Sequence, residues 1–105
     1  PTGRILLRRE PYRYDFEKVF AACPRHGVAV ECNAAPERLD LRDVELRAAK
    51  EKGLKIVIST DAHSTRGLGW MKYGVRTARR AWLNKNDVLN TLPLDRFLKA
   101  LRPSP

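Results

Sequence analysis

Apolar residues recur along this chain in two rhythms, a helical one and that of short buried strands. Phe16, Val19, Phe20 and Cys23 return at three- and four-residue steps and define one helix face. Asp15 stands before them as an N-cap, and Lys18 occupies the third helical position in place of Glu, so no capping box is expected. Pro24 and Gly27 should end this helix. Val28-Ala29-Val30-Glu31-Cys32 then reads as a strand, followed by the loop Asn33-Ala34-Ala35-Pro36.

The pattern repeats. Leu41 to Lys52 reads as a helix with Leu41, Val44, Ala48 and Ala49 as its apolar positions. Asp40 or a neighbour should cap it, and Gly53 lies just beyond its end. Lys55-Ile56-Val57-Ile58-Ser59 is the second strand, and its apolar run suits a parallel strand covered on both faces. A third helical region runs from about Gly67 to Leu83, with Gly69 and Gly74 as candidate interruptions. Asp87-Val88-Leu89-Asn90 is expected to form a short helical turn. A last helix spans about Leu94 to Leu101, started by Pro93 and stopped by Pro103. Residues 1–14 read as an irregular entry containing Ile5-Leu6-Leu7, and Arg102-Pro103-Ser104-Pro105 as a frayed terminus.

Strands alternating with helices imply parallel pairing through right-handed crossovers. The expected fold class is therefore α/β, with two parallel strands alternating with helices. Two strands are too few to close a barrel, so they are expected to lie at one edge of a larger (β/α) barrel. Residues 1–105 read as a single unit, without repeats, low-complexity tracts or a second domain.

Composition narrows the picture. At 43% hydrophobic residues the chain can pack a core. No apolar stretch approaches the length of a membrane span, and Pro1-Thr2-Gly3-Arg4 is no signal peptide, so no membrane partner is expected and the expected location is the cytoplasm. The chain opens without an initiator Met, as expected of a processed or excised piece. Cys23 and Cys32 can form a disulfide or stand as two buried thiols. Their spacing matches no zinc motif, and a cytosolic setting favours thiols.

The net charge is +9, from 21 Lys and Arg against 12 Asp and Glu. Such an excess favours polyanionic partners, nucleic acid first. Arg4, Arg8, Arg9 and Arg13 crowd the start. Lys72, Arg76, Arg79 and Arg80 lie at i, i+4, i+7 and i+8, which is one helix face, interleaved with Trp70, Tyr73 and Trp82. A basic face with aromatics can track a nucleic-acid backbone and stack exposed bases. The alternative is a solvated face whose aromatics pack inward.

The densest chemistry lies in Ile56-Val57-Ile58-Ser59-Thr60-Asp61-Ala62-His63. In a strand or its extended continuation, residues i and i+2 point the same way. Asp61 and His63 are then aimed at one spot beyond a strand's carboxyl end, where α/β proteins build their sites. Oxygen beside nitrogen suits a divalent metal such as Zn, Mn or Fe. The competing reading makes Asp61 a helix cap and His63 a loop residue. Asn33 lies on the same rim and can orient a ligand or form an Asx turn. Glu31 shares its parity and should have a partner if buried. Arg4 and Arg38 are candidate phosphate contacts, with a surface pair to Glu37 or Asp40 as the alternative for Arg38. His26 sits at a helix end, where a protonated ring would favour the dipole.

Pro1-Thr2-Gly3-Arg4, Glu31-Cys32-Asn33-Ala34-Ala35-Pro36-Glu37-Arg38-Leu39-Asp40-Leu41 and Ser59-Thr60-Asp61-Ala62-His63-Ser64 resemble the PHP (polymerase and histidinol phosphatase) domain of bacterial X-family DNA polymerases. Met71-Lys72-Tyr73-Gly74 and Asp87-Val88-Leu89-Asn90-Thr91-Leu92 resemble the same family. The resemblance implies the C-terminal portion of a distorted (β/α)7 PHP barrel. Family members gather His and acidic ligands for a metal cluster from several strand ends. Only Asp61 and His63 carry over: there is no His-x-Asp-x-His motif, and the ligand His that precedes Pro-Thr-Gly-Arg in the family falls before Pro1.

The resemblance further implies a divalent metal (Mn or Zn) in the intact domain, with none in the fragment as the alternative. It implies 3′-5′ exonuclease or phosphatase action on DNA, in a polymerase of DNA repair. DNA and the missing N-terminal part of the PHP barrel are the implied partners, and the isolated chain is expected to be inactive. The alternatives are a non-catalytic basic nucleic-acid-binding module and an independent PHP-like hydrolase.

Overall fold

The computed structural model describes residues 1–101. The expected stop at Pro103 and the frayed 102–105 terminus lie outside the described residues. Helix α1 spans Phe16–Arg25, and the Asp15 carboxylate accepts from the Lys18 N–H at 3.2 Å, as its capping role requires. Phe20 and Cys23 are buried, and the Phe16 and Phe20 rings meet at 5.4 Å. Val19, expected on this face, lies to one side of the line of contact and is exposed. Pro24 does not stop the helix but sits in its last turn, and closure falls to Gly27 at φ +65°.

Strand β1 is Val30–Asn33, starting two residues later than Val28. The Val28 N–H donates instead to the Cys23 carbonyl at 2.9 Å, closing the end of α1. Helix α2 spans Asp43–Glu51. Asp40 is not its cap. The first turn is served by Glu45, which accepts from the Arg42 N–H at 3.1 Å. Leu46 and Ala49 form the buried face of α2, and Val44, expected there, is exposed. The helix begins at Asp43, and Leu41, expected on its apolar face, is buried just ahead of it.

Strand β2, Ile56–Ser59, runs parallel to β1 in the register Val30↔Ile56, Glu31↔Val57, Cys32↔Ile58 and Asn33↔Ser59. The parallel expectation holds. Coverage on both faces does not: Ile56 and Ile58 are buried, while Val57 and Ser59 are half-buried on the opposite face. The core is therefore one-sided. Cys32, Ile56 and Ile58 from the sheet and Ala34 just past β1 meet Leu46 and Ala49 from α2 and Ala78 from the later helix. Both cysteines are buried and free, so no disulfide forms.

The third helical region divides into α3, Thr65–Leu68, and α4, Met71–Arg80, with the break at Gly69 and Trp70. Gly74 interrupts nothing. It lets α4 lie against the sheet, since a Cβ there would stand 2.5 Å from Ile58 Cγ2 and 2.8 Å from Ala34 Cβ. The segment expected as a helical turn at Asp87–Asn90 instead begins with a parallel bridge from Val88 to Ile56. The Ile56 N–H donates to the Asp87 carbonyl at 2.9 Å, and only Leu89–Thr91 coils, as a 3-10 turn. The Asn90 amide completes this edge, accepting from the Ile58 N–H at 2.8 Å and donating to its carbonyl at 2.9 Å. Helix α5, Leu94–Ala100, follows Pro93 as expected. The fold is α/β with two parallel strands. No helix among the described residues is long and apolar enough to cross a membrane.

Candidate metal-binding rim

The carboxyl ends of β1 and β2 bring Asn33 and Asp61 together. The Asn33 side-chain N–H donates to Asp61 Oδ2 at 2.6 Å, while Asn33 Oδ1 accepts from the Ala35 N–H at 3.0 Å. The Asx-turn and rim-orienting readings of Asn33 are thus one arrangement: the turn fixes the amide that holds the carboxylate. The other Asp61 oxygen has no partner among the described residues. Asp61 and His63 are both exposed.

Strand parity does not reach these two residues. The strand ends at Ser59, and Asp61 has φ +52°, in the left-handed region, so the extended continuation is broken. What relates the pair is a local turn: His63 Nδ1 lies 2.5 Å from the Asp61 carbonyl oxygen. With the proton on Nδ1, the neutral ring donates to that carbonyl and Nε2 keeps its lone pair. Asp61 does not cap the following helix, whose N-cap is Ser64. Among the described residues no three His, Cys, Asp or Glu side chains converge as a metal cluster. Asp61 and His63 offer one carboxylate oxygen and one imidazole nitrogen, donor types that suit a divalent metal, and not a whole site.

Glu31 has the partner its position demands, accepting from the Ser59 hydroxyl across the open face of the sheet. Arg4 is half-buried and engaged by backbone: its Nε donates to the Arg38 carbonyl at 2.8 Å and its Nη2 to the Leu39 carbonyl. Burial pulls its guanidinium pKa below the ordinary value, against the opposing pull of Asp40. Arg38 returns the contact, Nη1 donating to the Arg4 carbonyl at 3.5 Å. The two candidate phosphate contacts therefore lock the entry segment to the loop after β1, and Arg38 has no ion pair with Glu37 or Asp40 among the described residues.

Asp40 carries a role its sequence position did not reveal. It is 1% exposed, and its Oδ2 accepts from the backbone N–H groups of Thr2 at 2.8 Å and Gly3 at 3.0 Å. Its backbone bridges Asn33, so one residue ties the entry segment to the rim. The only signal in the sequence was an acidic residue beside an apolar one, which reads equally well as a cap.

Helix α4 and its C-terminal end expose all four expected cations, Lys72, Arg76, Arg79 and Arg80. Arg80 lies 3.4 Å from Asp43, a solvent-exposed pair of small energetic weight. Trp70 and Tyr73 are half-buried, while Trp82 projects into solvent. His26 is the exposed C-cap residue of α1.

No family model matches the chain. Over 102 aligned residues, 94% of its length, it is 42% identical to the DNA polymerase/3′-5′ exonuclease PolX of Bacillus subtilis (strain 168). Proteins named "Probable phosphatase" in Thermoanaerobacter sp. (strain X514) and Thermoanaerobacter pseudethanolicus are each 29% identical over 86 residues, 76% of the chain. The chain spans 18% of the Bacillus protein and 35% of each phosphatase.

Proposed function

We propose that this chain, 42% identical over 94% of its length to a bacterial PolX, is the C-terminal part of the PHP phosphoesterase barrel of an X-family DNA polymerase. In the whole domain Asp61 and His63 supply two ligands to a divalent metal, Mn or Zn. The reaction is hydrolysis of DNA phosphate esters, of the 3′-5′ exonuclease or phosphatase type, in a cytoplasmic polymerase of DNA repair. The observation that carries this reading is the rim itself, where Asn33 holds one oxygen of Asp61 and leaves the other free.

The residues divide the work simply. Asn33 orients the Asp61 carboxylate, and the Asp61 carbonyl fixes the His63 tautomer that leaves Nε2 unprotonated. Asp40 secures the entry segment beside the rim. A bound divalent cation would lower the pKa of a water and offset phosphate charge. Two protein ligands hold such an ion poorly, so the remaining ligands come from the N-terminal part of the barrel, which is also the partner for the uncovered face of the sheet.

The test compares this chain with a longer protein that includes the upstream barrel, assayed with Mn or Zn on a phosphodiester. Hydrolysis is expected only from the longer protein and should fall at least ~100-fold in Asp61→Ala. Turnover by the 105-residue chain alone that vanishes in Asp61→Ala would show a self-sufficient hydrolase.

A second reading, a nucleic-acid-binding face, is favoured by the four exposed cations of α4 on a chain of net charge +9. It is compatible with the first, because a phosphoesterase acting on DNA must also hold its backbone.

A further inference from the structure

Trp82 is an exposed aromatic in the left-handed region. It follows α4 at φ +65°, and the Leu83 N–H reaches back to the Ala78 carbonyl at 3.1 Å, the pattern of a helix closed through a left-handed residue. Glycine is the favoured residue there, because it alone adopts this conformation without a Cβ penalty. An indole at this position bears backbone strain, yet it is not there to fill the core: Trp82 is 64% exposed, while the neighbouring Ala81 is fully buried. Strain retained at an exposed aromatic points to use of the ring.

The ring is also held in place. The Arg47 guanidinium lies 3.5 Å from its centroid, covering one face. The Lys50 ammonium donates to the Trp82 carbonyl at 2.6 Å and lies 3.4 Å from Asp87. Arg79 and Arg80, both exposed, stand in the turn before it, and Lys85, also exposed, follows three residues on. Glu51, at 3.7 Å from Arg47, and Asp43, beside Arg80, offset part of this charge through exposed pairs.

From this geometry we propose that Trp82 is a stacking platform for an unpaired nucleobase, with α4 cations holding the adjoining phosphates. One face of the indole is backed by a cation, the residue is largely exposed, and the surrounding charge selects a polyanion. A duplex offers its base faces only at its ends, so the partner is single-stranded nucleic acid. This rests on the nucleic-acid-binding reading above and uses none of the metal-rim residues.

The test uses the full chain in EDTA with a twelve-nucleotide oligothymidylate as probe. Trp70 is the only other tryptophan. In the Trp70→Phe variant, Trp82 becomes the sole indole, and its fluorescence should quench saturably as the oligonucleotide is added. In the otherwise unaltered chain, Trp82→Gly should weaken binding of a labelled oligonucleotide ~10-fold while leaving the slope of log affinity against log salt unchanged, because no cation is removed. Its melting temperature should be equal or higher, since glycine relieves the left-handed strain. Binding with a normal salt slope but undiminished by Trp82→Gly overturns the platform and leaves the basic face standing. Absence of any binding overturns both. Equal affinity for a blunt duplex shows a backbone-only contact and also overturns the platform.

Discussion

The Asn33 amide donates to the Asp61 carboxylate at 2.6 Å, joining the ends of β1 and β2 through side chains where the backbone ladder has stopped. Asn33 is buried and Asp61 exposed, so the interior of the fold aims a surface group. Asn33→Asp should replace this attraction with repulsion between two carboxylates. Urea unfolding at pH 7 reads the effect: Asn33→Ala should cost ~1–3 kcal/mol, and Asn33→Asp should cost more because it adds repulsion to the lost hydrogen bond.

Gly74→Ala should destabilise the chain by ~1–3 kcal/mol, because the added Cβ would stand 2.5 Å from Ile58 Cγ2. Gly69→Ala is the control. Its Cβ would meet only the Arg66 carbonyl at 3.4 Å, and the melting temperature should stay within a degree or two. A Gly74→Ala variant as stable as the parent would mean that α4 can lift from the sheet.

Burial, with Glu31 and Asp40 nearby, pushes the Cys32 thiol up to about 11 from an ordinary 9.0. The folded state therefore keeps this proton more tightly than the unfolded chain. The resulting stability is fully present below pH 9 and is lost as pH rises from about 9 to about 11. Tyr14, raised to about 12 chiefly by burial, extends the loss further. Urea unfolding from pH 8 to 11 should show a falling midpoint, and Cys32→Ala should flatten the first part of that fall. A thiol reagent at pH 8 should modify Cys32 only as the chain unfolds.

The double variant Arg76→Ala, Arg79→Ala should flatten the slope of log DNA affinity against log salt by one to two units, at ~0.7 to 0.9 for each phosphate no longer neutralised. Asp61→Ala should leave the slope unaltered. An unchanged slope in the double arginine variant would assign these cations to solvent or to a contact other than DNA.

Much of this fold was legible because periodicity is a local property. The apolar spacing placed α1 and both strands to within two residues, and Pro93 marked the start of α5. What was not legible depends on distant partners. Asp40 read as a cap because its real partners, the N–H groups of Thr2 and Gly3, are nearly forty positions away in the chain. Val88 read as part of a helical turn because the strand it joins lies far upstream. The Asp61–His63 pair was found for its residue types, while the strand geometry assumed for it fails at φ +52°. The Arg47–Trp82 stack had no sequence signal, since one member sits on α2 and the other just past the end of α4.

The occupied margins of the sheet carry one more consequence. Asp40 pairs with Asn33 outside β1, and Asp87 and Asn90 bond the outer side of β2, so neither rim-side margin offers an open row of donors and acceptors. An unguarded margin is a template on which another chain can lay a strand and begin a fibril. Here the guard at β2 is largely one side-chain amide. Asn90→Ala would bare the Ile58 backbone, turning a quiet border into a seed for self-association long before the fold itself is lost.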